Sequence, residues 1–106
     1  MTYTLTRDQA ITILEQIGRM NVLAISGGRW TIADNGSLRL PVGSGYSVEV
    51  EYVPGSDTYN VRRVYTRGAK RWIKGSVGNV YCDQVGEMAY QAHAFRSYEF
   101  PSGREI

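Results

Sequence analysis

The stretch from Ser47 to Thr66 constrains this chain more than any other. Residues 47–53 alternate, with Val48, Val50 and Tyr52 in one phase and Glu49 and Glu51 in the other, as in a half-buried β-strand. Pro54-Gly55-Ser56-Asp57 follows as a turn signal and leads into residues 58–66, a second strand-like run. Pairing Tyr52 with Tyr59 sets Val50 opposite Val61 and Glu49 opposite Arg62, so apolar meets apolar and charge meets opposite charge. A hairpin with that register is expected. Arg63 falls in phase with the buried face and Val64 out of phase, which predicts a β-bulge near Arg62-Arg63 or exposure of that strand end.

On either side the period becomes helical. Thr6 and Gln9 have capping-box spacing, and Ala10, Ile13, Leu14 and Ile17 recur at i, i+3, i+4 and i+7, giving a helix over about 7–17 that Gly18 ends. Tyr81, Val85, Met88, Ala92 and Phe95 have the same periodicity, with Cys82 and Ala89 beside them, giving a second helix over about 79–96. Gly86 inside it costs about 1 kcal/mol relative to alanine and marks a close packing contact. Between the helices, residues 21–26 read as a short β-rich run closed by Gly27-Gly28, with residues 30–33 extending or following it before the turn Asp34-Asn35-Gly36. Leu38, Leu40 and Val42 alternate with Arg39, and Pro41 marks that strand as an edge or as ending there. Residues 70–77, with Trp72 and Ile73, form the last strand. The expected class is α+β: an N-terminal helix, an antiparallel sheet of four to five strands and a C-terminal helix, both helices on one sheet face. The opposite face would turn Glu49, Glu51 and Arg62 to solvent or to a partner. A chain of 106 residues makes one domain, with a core over about 5–98 and a frayed tail over 101–106.

Composition excludes several classes. With 42% hydrophobic and 21% charged residues the chain is neither disordered nor membrane-spanning, and no apolar run approaches the roughly 20 residues a bilayer needs. Residues 1–7 have no basic stretch followed by an apolar one, so no secretory leader is expected. A single cysteine, Cys82, fits a reducing compartment and a cytoplasmic location, and provides no Cys-rich zinc site. Cys82 and His93 are unique of their kind; on one helix they would stand about 16 Å apart, too far for a dyad. Cys82 reads as a buried packing residue and His93 as a partly exposed one. No spacing suggests a catalytic centre, a metal site or a cofactor.

The sharpest candidate is a basic segment. Arg62, Arg63, Arg67, Lys70, Arg71 and Lys74 place six of the chain's twelve basic residues in thirteen positions free of Asp and Glu, with Tyr65 and Trp72 among them. Arginines beside stackable rings suit nucleic acid, since charge neutralises phosphate and ring faces accept bases. They equally suit an acidic patch on a protein. The plain alternative is a solvated hairpin whose charges divide between two faces, partly neutralised by Glu49 and Glu51, with Trp72 in the core. Ser26-Gly27-Gly28-Arg29 could form an anion-binding nest but lacks a phosphate-loop ending, so a tight turn is the simpler reading. Glu49 and Glu51 could hold a hard cation or act as an acid/base pair, although adjacent strand carboxylates ordinarily form a solvent face. Eight tyrosines favour a binding role, because tyrosine and arginine dominate interface hot spots.

The motif order Ile13-Leu14-Glu15-Gln16-Ile17-Gly18, Leu23-Ala24-Ile25-Ser26-Gly27, Leu38-Arg39-Leu40-Pro41, Asp57-Thr58-Tyr59-Asn60-Val61 and Val80-Tyr81-Cys82-Asp83 resembles a loose group of small uncharacterised phage and prophage proteins. The resemblance spans about 13–83. It implies an accessory protein of a phage or mobile element working in a bacterial cytoplasm and brings no activity or site. Segment 62–74 is more basic than the group leads one to expect. The expected function is non-catalytic binding to a host or phage protein, with inhibition of a host process or defence system as one form of it, and nucleic-acid binding by the same segment as the alternative. An enzyme of unknown type ranks third. A homodimer through the edge near Pro41 or through the last strand stays open.

Overall fold

A computed structural model describes residues 4–94. The expected tail over 101–106 and the end of the second helix beyond Ala94 lie outside the described residues. The elements run α1 (Arg7–Ile17), α2 (Arg19–Ser26), β1 (Thr31–Ile32), β2 (Leu38–Gly43), β3 (Tyr46–Val53), β4 (Thr58–Arg67), β5 (Lys70–Val80) and α3 (Val85–Ala94). The strands form one antiparallel meander in the order β1-β2-β3-β4-β5. This is an α+β architecture of one helical layer on one sheet.

Local chemistry accounts for the elements. Thr6 caps α1 as a capping box: its hydroxyl accepts from the Gln9 amide at 3.2 Å, and the Gln9 side chain accepts from the Thr6 amide at 2.9 Å. Gly18, at φ +96°, ends α1 and opens α2 at once. Segment 21–26 is therefore helical rather than the expected strand. Val22 and Ile25 are buried at i, i+3 spacing while Leu23 is exposed, and the Asn21 amide bonds back to the Ile17 carbonyl at 2.9 Å. β-Branched residues fit a strand locally, but a core on one side only selects the helical period.

The β3–β4 register is the expected one throughout: Tyr52 opposite Tyr59, Val50 opposite Val61, Glu49 opposite Arg62. It runs on unbroken to Tyr46 opposite Tyr65, so Arg63 does enter the helix-side face. A register shift does fall between Arg63 and Val64, but in their pairing with β5 rather than in β4 itself, and the residue without an opposite number is Lys74. Pro41 sits beyond the reach of β1, which pairs only with Leu38 and Arg39.

Leu38, Leu40, Val48, Val50, Val61, Val77 and Val80 point from one sheet face into a single core with Ile13, Ile17, Val22, Ile25, Val85 and Ala89. All three helices thus lie on that face. Gly86 is the expected close contact: a Cβ there would stand 2.6 Å from the Ile17 carbonyl oxygen. The second helix begins at Val85 rather than near Asn79, since β5 continues to Val80, and Cys82 falls in the connection, exposed rather than buried. No helix among the described residues is long and apolar enough to cross a membrane.

Candidate functional site

The β4–β5 hairpin closes on Gly68 (φ +60°) and Ala69, with Arg67 opposite Lys70. Its basic residues separate into three kinds of environment.

Arg63 is 1% exposed. Its guanidinium lies 4.3 Å from the Tyr46 ring centroid and donates to the carbonyls of Ala92 at 2.7 Å and His93 at 3.1 Å, in the last turn of α3. A buried guanidinium bonded to main-chain carbonyls is satisfied there without water. Arg63 ties β4 to α3 inside the fold, so the structure withdraws it from any contact surface.

Arg62 and Arg71 are neutralised on the other sheet face. Arg62 pairs with Glu51 at 2.7 Å, and Asn60 donates to the same oxygen at 2.9 Å. Burial pushes the Glu51 carboxyl up, but the bonds from Asn60 and Arg62 and the charges of Arg62 and Arg71 outweigh it and hold the group below its ordinary value. Glu49 is 2% exposed, which corrects the expectation that it faces solvent. The turn at Asp34-Asn35-Gly36 brings the Asn35 amide within 3.1 Å of Glu49, and Arg71 reaches it from the hairpin tip at 2.5 Å. These groups floor and wall an open cleft of about 570 Å³ that Arg39, Thr66 and Lys70 also line. The carboxylate already accepts two donors there, which makes it an organiser of the turn and the tip rather than a free acid or base. Asn35 is the residue sequence reasoning missed; its turn signal was visible, its reach to Glu49 was not.

Arg67, Lys70 and Lys74 are exposed and have no ion-pair partner among the described residues. Beside them on the helix-side face, Tyr46, Tyr65 and Trp72 form a ladder with ring centroids 4.9 Å and 5.6 Å apart. Trp72 is 42% exposed, so it is not the core residue that the plain reading of the segment required. Ile73, on the opposite face of β5, is 53% exposed.

The remaining candidates hold no site. The amides of Gly27, Gly28 and Arg29 bond to the carbonyls of Leu23, Val22 and Ser26, so residues 26–29 cap α2 and offer no anion nest. Cys82 and His93 lie on different elements. No three His, Cys, Asp or Glu side chains among the described residues come together as a metal site.

The fold and the tip define an α+β domain with a basic-aromatic surface hairpin. Comparison with protein-family models, with characterised proteins and with solved structures found no match.

Proposed function

We propose that this chain is a non-catalytic binding module whose contact surface is the tip of the β4–β5 hairpin, and that its partner is a protein presenting acidic groups. The observation that carries this reading is the co-location of three uncommitted cations, Arg67, Lys70 and Lys74, with the exposed edge of an aromatic ladder at Trp72. An exposed aromatic next to unneutralised charge is the composition of an interface hot spot. The resemblance of the motif order to small phage proteins supports a partner in a bacterial cytoplasm, where a chain this small would inhibit a host process by occlusion.

Nucleic-acid binding is the second reading, supported by the same ladder, whose ring faces suit unstacked bases. It ranks lower because Arg62, Arg63 and Arg71 are engaged internally. The three free cations at the tip are few against the roughly 6–10 phosphate contacts of a strong non-specific binder.

The test pairs two measurements on the wild type and on a variant carrying Arg67→Gln, Lys70→Gln, Lys74→Gln and Trp72→Ala. Affinity capture from bacterial lysate should retain a partner on the wild type alone. Anisotropy titrations of labelled single-stranded DNA, duplex DNA and RNA should show no salt-steep binding. Equal capture by both proteins overturns the tip as the contact surface, and salt-steep binding lost in the variant moves nucleic acid to first place.

A further inference from the structure

We propose that the outer edge of β5 at Arg71–Ile73 receives an extended acidic segment of the partner as a sixth antiparallel strand. The inference rests on the reading of the hairpin tip as a contact surface and gives that contact a mode.

β5 is the last strand of the sheet, and no described strand lies beyond it. In a two-residue hairpin the closing pair, here Arg67 and Lys70, exchanges its hydrogen bonds across the turn, so the next pair, Thr66 and Arg71, does not. The Thr66 amide accordingly points the other way, donating to the Gly45 carbonyl at 2.9 Å. Arg71 therefore turns its own N–H and C=O away from β4, and so does Ile73 two residues on. Residues 70–74 are all exposed, and no described element outside the sheet bonds to the main chain of Arg71 or Ile73. Trp72 and Ile73 project from opposite faces of the same stretch and give an added strand an apolar contact on each side. The bulge at Lys74 limits the docking ladder to this short stretch.

The charge of the edge selects the occupant. No Asp or Glu occurs between Asp57 and Asp83, and Lys70 and Lys74 flank the edge while Arg71 is already held by Glu49. A second copy pairing antiparallel about Trp72 would set Lys70 against Lys74, and like charges directly opposite are destabilising. An acidic strand meets complementary charge at the same positions.

The test uses the full chain and a fluorescein-labelled ten-residue peptide alternating glutamate with valine and threonine. Two control peptides accompany it, one with lysine for each glutamate and one N-methylated at every second residue. We expect the acidic peptide to bind, with the N-methylated and lysine peptides each weaker by at least about tenfold. Ile73→Pro should cause a similar loss, since it removes an outward N–H that β4 does not use. Its circular dichroism should match the wild type, and the N-methylated peptide gives the same information without altering the protein. Equal binding of the acidic and N-methylated peptides overturns strand addition and leaves the tip as an electrostatic contact surface. Absence of acidic-peptide binding overturns strand addition, while lysate capture decides the tip independently. Sedimentation showing a dimer dissociated by Ile73→Pro would replace the acidic segment with a second copy.

Discussion

The guanidinium of Arg63, on the fourth strand, donates to the main-chain carbonyl of Ala92 at 2.7 Å, fastening the middle of the sheet to the last turn of α3. A buried cation with such partners is a structural commitment, and removing it takes a charged hydrogen bond out of the interior. Arg63→Ala should lower stability by about 3 kcal/mol, as for breaking a buried charged interaction. Urea denaturation of the purified variant measures this, and a change within experimental error would show that the carbonyls find other donors.

Gly86 presses α3 onto the end of α1. Alanine is the better helix former by about 1 kcal/mol, yet its Cβ would stand 2.6 Å from the Ile17 carbonyl oxygen. Overpacking should win, with Gly86→Ala less stable by about 1–3 kcal/mol. A melting temperature raised by the substitution would mean that the helices separate at little cost.

Arg71 and Lys70 are neighbours of equal charge whose neutralisation should have different effects. Arg71→Gln takes the ion-pair partner from Glu49, a carboxylate 2% exposed, whereas Lys70→Gln removes a solvated charge with no ion-pair partner among the described residues. Thermal melts should show a clear loss for Arg71→Gln and a change within about 0.5 kcal/mol for Lys70→Gln. The two variants melting together would remove the distinction between structural and surface cations at the tip.

Glu51 makes the fold acid-sensitive. Its carboxyl sits lower in the folded protein than the ordinary 4.5, so its contribution is present above the unfolded value and is lost as pH falls through the folded one. Urea midpoints taken from about pH 6 down to about pH 3 should decline more steeply for the wild type than for Glu51→Gln. Parallel declines would assign the acid sensitivity to other carboxylates.

The hairpin at the centre was legible because two independent patterns agreed: the alternation of valines and the opposition of Glu49 to Arg62 both demand one register. Thr6 with Gln9, and Gly86, were legible because each carries a local rule of capping or close approach. Segment 21–26 was not, since Val22, Leu23 and Ile25 suit a strand in isolation and only a one-sided core makes them a helix. The basic segment was visible as a cluster, but its division was hidden. Arg63 is committed by a helix 29 residues away, and Arg71 by a carboxylate 22 residues away, neither of which sequence spacing can bring together.

The sheet has a meander order, with every strand beside the one made just before it. During synthesis each strand thus finds its partner already waiting, and the sheet can be laid down in step with the emerging chain. Its apolar face can be met early by α1 and α2 but is completed late, because Val85 and Ala89 belong to the last element described. A nascent chain that has emerged only as far as β5 would hold a finished sheet with a partly covered core and Arg63 without its partners on α3. The interval between those two moments is where the nascent chain is most exposed to chaperones and to misassociation.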